Sequence, residues 1–302
     1  MDPAARFAYL LGMLVVGVVA RQVGLLDAVR TERLNTVAFY VVLPSLIFVS
    51  TYDRPLASLL SPALLVGVPA VVTATAGLAW LLSRRHADPG RRGVAVVQSY
   101  HTNLGYLGFP LVAATFGADV TATAGLLLGL ISLVQITMTV LVLVTVADAE
   151  VSLRGQAREL FTNPVLLSLL LAVVVGWYGL AVPGPAVAGL SAVGDLALPL
   201  ALVLVGASLE PDVGDLEPAA TGTVVALKLL WMPLVAWLVF SALGVEAAVL
   251  TAAVVMHAMP TAVSTFVYAT ELGGDAEFAS LNVLATTVAS LGTVFVLITW
   301  FG

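Results

Sequence analysis

The chain has 302 residues, of which 60% are hydrophobic and only 10% charged, with a mean hydropathy of +1.07. A soluble domain is roughly 45–50% apolar and about 25% charged, so a water-soluble globule is excluded and a lipid bilayer is the expected partner of all this apolar surface. The absence of cysteine removes disulfides and thiolate chemistry, and no basic patch points to nucleic acid.

Crossing a bilayer takes roughly 20 apolar residues per helix. Ten stretches qualify, over residues 4–22, 34–52, 56–82, 93–116, 121–147, 163–182, 188–209, 219–243, 246–269 and 278–301. The first follows a single arginine, Arg6, offset by Asp2, and no small-residue cleavage site comes after it. It reads as a retained helix and not as a signal peptide. The second carries Leu43-Pro44 in its middle. The third and fifth are long, which tilt absorbs. The fourth holds Asn103, Gly105, Gly108 and Pro110 in one short stretch. A polar connector, residues 148–162, then separates a first half, 1–147, from a second, 163–302. Asn163-Pro164 opens the sixth span, with proline where its missing N–H costs nothing. The seventh carries Asp195 and Leu198-Pro199, the eighth Lys228, and the ninth His257, Pro260, Thr261 and Ser264.

The two halves resemble each other. Leu43-Pro44 and Leu198-Pro199 occupy the second span of each half. His101, Gly117 and Asp119 recur at the same spacing as His257, Gly273 and Asp275, from the fourth span onward. A unit of five spans inserts its second copy upside down, and inverted repeats of this kind characterise secondary transporters. The fold expected is therefore all-α and integral to the membrane, with ten transmembrane helices as two inverted five-helix repeats.

Orientation follows from arginine. Connectors after spans one, three and five hold Arg21, Arg30, Arg33, Arg84, Arg85, Arg91, Arg92, Arg154 and Arg158, while the other face holds Arg6 and Arg54. By the positive-inside rule the first set is cytoplasmic and both termini are extracellular, in a cell membrane protein. The acidic connectors on the same side (Glu210, Asp212, Asp215, Glu217; Glu271, Asp275, Glu277) carry little weight in that rule.

The breaks in spans four and nine are the candidate binding site. Proline removes a helical hydrogen bond and clashes with the preceding turn. Backbone freed in this way survives at membrane depth only inside protein or beside a water-filled cavity. Half-helix N-termini then offer free N–H groups and a positive dipole end to an anion. An ordinary proline kink is the competing reading; two polar breaks at matching places favour a site. Lys228, deep in its span, is either a buried charge, whether a fixed substitute for a coupling cation or a titrating group, or a snorkelling side chain. His101 and His257 flank the breaks and, like Asp195, are candidates for ion coupling or packing. Gln135 and Asn282 read as interhelical glue, and Trp80, Trp177 and Trp300 as interface belts. Walker A, His-Glu-x-x-His and Gly-x-Ser-x-Gly motifs are missing, so neither an enzyme nor an ATP-driven pump is expected, and no cofactor or metal.

With these residues in view, the chain resembles the auxin efflux carrier family of membrane permeases in its short-loop prokaryotic form. The likeness is carried by Leu34 to Pro44, by Asn103 to Pro110 running on to Gly117, by Asn163-Pro164 with Leu198 to Leu209, and by Met259 to Ala262 with Gly273 to Asp275. The resemblance implies that spans four and nine are crossover helices meeting at their breaks. It also implies a scaffold of spans one, two, six and seven, a mobile bundle of the others, elevator-type alternating access and a homodimer. By position, Asn103 and Pro110 belong to the first crossover and Pro260 to the second, and Lys228 matches a lysine often seen in the family's eighth span. Two departures stand out: the central loop is short, and Phe109 and Met259 precede the crossover prolines where some members have polar residues. The substrate implied is a small organic anion, such as a carboxylate or auxin-like acid. The alternative is a cation-coupled symporter or antiporter of the related bile-acid and sodium/proton exchanger architecture, which typically needs carboxylates at the crossover.

Overall fold

The computed structural model describes residues 3–54, 61–86, 88–146, 153–208, 218–271 and 274–302. The acidic stretch with Glu210, Asp212, Asp215 and Glu217, the glycine Gly273 and connector residues 148–152 lie outside them.

The described chain is helical. In order come α1 (Pro3–Gln22), α2 (Ala28–Val37), α3 (Leu43–Thr51), α4 (Pro62–Ser83), α5 (Pro89–Tyr100), α6 (Phe109–Thr115), α7 (Ala118–Val146) and α8 (Leu153–Thr162). They are followed by α9 (Pro164–Trp177), α10 (Gly184–Gly194), α11 (Ala197–Ser208), α12 (Pro218–Ala226), α13 (Met232–Ala242), α14 (Ala247–His257), α15 (Ser264–Glu271) and α16 (Ala276–Phe301). Among the described residues, six helical rods are long and apolar enough to cross a membrane: Ala28–Thr51, Pro62–Ser83, Ala118–Thr145, Gly184–Ser208, Pro218–Ala242 and Ala276–Phe301. Ala8–Gln22, Leu104–Thr115, Pro164–Trp177 and Ala247–His257 are shorter apolar helices. The sixth expected span ends early, at Trp177, and the last part of the expected connector is itself a helix, α8.

Among the described residues, three helical rods contain a π turn, over Ala38–Val42, Leu104–Gly108 and Leu227–Trp231. Each ends one residue short of an X-Pro pair, and the X residue bonds five positions back: Leu43 N–H to Ala38 O, Phe109 N–H to Leu104 O, Met232 N–H to Leu227 O. A proline ring clashes with the carbonyl four residues earlier; the wider turn moves that carbonyl aside and lets Pro44, Pro110 and Pro233 continue the helix. Side-chain caps fix several helix starts. Asp27, Asp88, Asn163 and Asp275 each accept from an amide of the first turn, each worth about 1 kcal/mol.

Packing divides the helices into two sets. α1 lies along α11, and α3 against α9 and α10. These contacts are backbone on backbone. A Cβ added at Gly17 would lie 2.1 Å from Val203 O, and one at Gly206 2.2 Å from Leu14 O. Gly176 meets Tyr52 O and Gly194 meets the Leu46 backbone in the same way. The second set, α4, α5, α7, α13 and α14, packs through side chains: Phe240 fills the space over Gly67, and Val68, Val71 and Val72 of α4 are fully buried. Trp80, Trp177 and Trp300 are exposed near helix ends, as an interfacial belt requires.

Candidate binding site at the meeting of two broken helices

The helix ending in α5 stops at Tyr100 and resumes as the π turn at Leu104; the helix ending in α14 stops at His257 and resumes as α15 at Ser264. The two gaps lie against each other as an antiparallel pair centred on Thr102 and Thr261. Asn103 N–H donates to Pro260 O at 2.9 Å and Ala262 N–H to His101 O at 3.1 Å. Each gap thus satisfies part of the other's backbone, which hydrocarbon would leave unpaired at a cost of several kcal/mol.

Neighbouring helices satisfy the rest. On one side Gln135 of α7 accepts from Thr102 N–H at 3.0 Å and donates to Thr102 O at 3.4 Å, like the edge of a third strand. On the other, Thr286 of α16 accepts from Thr261 N–H at 3.3 Å. Thr261 Oγ1 donates to Gln98 O, one of the orphan carbonyls at the end of α5. The Gln98 amide donates to Thr265 Oγ1 and Ala279 O and accepts from Asn282. Gln98, Thr261, Asn282 and Thr286 are all fully buried.

The ends of α5 and α14 are treated differently. At α14, Lys228 Nζ donates to His257 O at 2.8 Å and touches Met232 Sδ at 3.2 Å, and its side chain is 0% exposed. Snorkelling is therefore ruled out. The Lys228 amino group caps the negative end of the α14 dipole. At α5 the carbonyls are capped by Thr261 and the Ala262 amide, without a cation.

The two histidines that flank the gaps also diverge. His257 Nδ1 donates to Ala253 O at 2.7 Å, and its Nε2 is buried without a partner. His101 Nδ1 meets Thr139 Oγ1 at 2.9 Å, and the same hydroxyl meets Tyr100 OH at 3.1 Å.

Two cavities converge on this meeting point. One, of about 190 Å³, is lined by His101, Asn103, Gly105, Gln135, Ser264 and Tyr268 among others. The other, of about 240 Å³, is lined by Asn103, Ser208, Phe266, Ser280 and Thr287. Asn103 belongs to both, and Val263 stands between Ala262 and Ser264 at the second. Among the described residues, neither lining contains Asp, Glu, Lys or Arg. The cavities lie beside the starts of the π turn after Asn103 and of α15, two positive helix ends, where Leu104, Thr265 and Phe266 N–H already donate to Thr102, Ala262 and Val263 O.

Of the sequence candidates, the structure brings together His101, Asn103, Gly105, Pro260, Thr261 and Ser264, with Lys228 and His257 directly behind them. Gly108 lets Met259 and Met256 close over the π turn, and Pro110 is buried in α6. Asp195 is not brought there: it is exposed at the bend between α10 and α11 and lines neither cavity. Phe109 and Met259 are fully buried packing residues. Sequence reasoning missed Gln98, Thr139, Thr286 and Tyr268, and read Gln135 only as helix glue.

Membrane-length apolar rods, with broken helices paired at their gaps and polar cavities beside the pair, define a multi-pass membrane protein. A family model described as membrane transport protein matches residues 6–298. The chain belongs to that family, the auxin efflux carrier-like membrane transport proteins. It is 28% identical over 282 residues to a protein of Methanothermobacter thermautotrophicus named "Uncharacterized transporter", covering 92% of each chain. It is 27% identical over 271 residues to a Rhizobium meliloti protein named "Putative malonate transporter", covering 86% of this chain and 84% of the other. The chain is a membrane transporter and not an enzyme.

Proposed function

We propose that the protein is a secondary carrier for a small organic anion, a carboxylate or auxin-like acid, bound at the paired helix gaps and moved by elevator-type alternating access. The observation that carries this reading is the pair of gaps itself: two helix N-termini, Asn103 shared by two polar cavities, and a buried Lys228 behind them. Neutral hydrogen-bond donors and positive dipole ends suit a carboxylate. Lys228 supplies a fixed positive charge that offsets the anion at membrane depth. The relative named for malonate supports the same substrate class. An exchanger that holds its coupling cation on a carboxylate finds none among the described residues of either cavity lining.

In this reading the chain forms ten spans in two inverted repeats. The glycine contacts that weld α1, α3, α9, α10 and α11 backbone to backbone support a rigid scaffold, against which the remaining helices move. The arginine-rich ends face the cytoplasm, both termini lie outside, and the membrane is the plasma membrane. The protein is a homodimer, because Asp195, exposed near the middle of the Gly184–Ser208 rod, is costly against lipid and is covered by a second copy. A monomeric mass in lipid nanodiscs would remove that last element.

The test is solute exchange in proteoliposomes. Purified protein should exchange radiolabelled malonate or another small carboxylate well above protein-free vesicles, and Asn103→Ala should lose that exchange. Failure with mono- and dicarboxylates and indole acids alike would sink the carrier reading.

A further inference from the structure

We propose that His101 takes up a proton together with the carried anion, so that a dicarboxylate crosses the membrane with one proton. This rests on the carrier reading above and adds the coupling chemistry of the same site.

The inference starts from the unequal fates of the two histidines that flank the gaps. The His257 ring has one nitrogen donating to Ala253 O and the other buried without a partner. A proton added there would be an N–H with no acceptor, at a cost of about 1–3 kcal/mol or more. His101 differs on both counts. It lines the cavity of about 190 Å³, so Nε2 is the ring nitrogen left for a ligand. Its Nδ1 meets a hydroxyl, Thr139 Oγ1, which also meets Tyr100 OH. A threonine hydroxyl both donates and accepts, so Nδ1 keeps a partner whether or not it carries hydrogen. His101 therefore gains and loses a proton without stranding a buried group, provided that the cavity supplies an acceptor for Nε2–H. A substrate carboxylate is that acceptor.

Charge selects the pairing. α4 and α12, packed against α5, have no titratable residue, while α7 and α16 have Asp119 and Glu277 in their first turns. From α15 the Tyr268 ring stands 5.9 Å from His101, and Glu271 is the last residue of that helix. Tyr100 is joined through Thr139, and Lys228, on the π turn packed against α5, presents a like charge that opposes a second cation until the anion is bound. Among the described residues, no carboxylate in either cavity lining accompanies a histidinium here. Lys228 offsets one negative charge; a second, on a dicarboxylate, needs one more positive charge at membrane depth. His101 provides it by taking a proton from water on the loading side and returning it on the other.

The experiment uses wild-type protein and His101→Gln in proteoliposomes loaded with pyranine, with the membrane potential clamped by potassium and valinomycin. Glutamine keeps a hydrogen bond to Thr139 but does not titrate. At constant external pH, an inside-alkaline gradient of one unit should raise wild-type malonate accumulation roughly tenfold, the equivalent of one proton, and the lumen should acidify as malonate enters. In His101→Gln the ratio of uptake with and without the gradient should fall to one, a readout that a general loss of rate does not move. Wild-type malonate exchange without lumen acidification would overturn the proposal while leaving the carrier intact. A His101→Gln ratio equal to the wild-type ratio would also overturn it. Absence of malonate exchange in the wild type would remove the dicarboxylate reading and this proposal with it.

Discussion

Replacing Lys228 by methionine separates its charge from its bulk. The ammonium is fully buried and donates to His257 O at 2.8 Å. Losing that charged hydrogen bond costs about 1.5–3 kcal/mol, but removing a buried cation also relieves a desolvation penalty of several kcal/mol. Lys228→Met should therefore stay folded, within about 2 kcal/mol of the wild type. Its effect on the anion is larger and one-sided. A fixed charge about 8 Å from a carboxylate, at an effective dielectric of about 20, is worth roughly 2 kcal/mol, or about thirtyfold in affinity. A second consequence follows from charge balance. With Lys228 the carrier loaded with a monoanion moves no net charge, so exchange ignores the membrane potential. Without it the loaded carrier bears a negative charge, worth about 2.3 kcal/mol per 100 mV. Monocarboxylate exchange in proteoliposomes, measured at zero and at imposed potential, reads both effects. The expected result is a half-saturation concentration raised about thirtyfold and a residual rate that depends on potential. A folded Lys228→Met with wild-type affinity and potential-insensitive exchange would refute the role given to the lysine.

Asn103→Ala removes the side chain common to both cavities and should reduce carboxylate exchange at least tenfold while the protein elutes as a single species from size-exclusion chromatography; wild-type exchange would take Asn103 out of the site. Pro260→Ala restores a backbone donor beside the Asn103–Pro260 bond and should impair exchange by favouring continuous helix; unchanged rates would show that the gap tolerates it. Gln135→Leu strands Thr102 N–H, at about 1–3 kcal/mol, while Thr102 O keeps Leu104 N–H, and should lower the unfolding temperature in detergent as well as transport. Gly206→Val drives a branched side chain into Leu14 O and should destabilise the α1–α11 pair by at least the ~1–3 kcal/mol of ordinary overpacking. Thermal unfolding at wild-type temperature would contradict that close approach.

Much of the fold was legible because bilayer crossing imposes length and apolarity on local sequence. Lys228 was readable for the same reason: a lone charge nine residues into an apolar stretch has few places to go. The breaks were readable from Asn103, Gly105, Gly108, Pro110 and Pro260, since these residue types disfavour helix wherever they sit. What sequence does not carry is which distant partner answers the broken backbone. Gln135 is 33 positions from Thr102 and Gln98 is 184 from Asn282. An amide in an apolar helix looks the same whether it glues two helices or pairs with exposed backbone. The π turns were hidden for a related reason. Pro44, Pro110 and Pro233 announce a disturbance, but a kink and a widened turn are alternative reliefs of the same clash. Asp195 misled because depth along a helix is legible whereas the direction it faces depends on packing.

The two halves meet one shared problem, unpaired backbone at membrane depth, with different side chains. Gln135 answers Thr102 with both a donor and an acceptor, whereas the Thr286 hydroxyl answers only Thr261 N–H. α14 ends on an ammonium, and α5 ends on a hydroxyl and an amide. Structural repair alone asks for nothing more than neutral partners, as α5 demonstrates. A buried cation at α14 is therefore surplus to folding, and it costs several kcal/mol to desolvate. In the carrier proposed above, such a cost is offset when a negative charge visits the site, and the unequal repair of the α5 and α14 ends is the observation that favours a role for Lys228 with the anion.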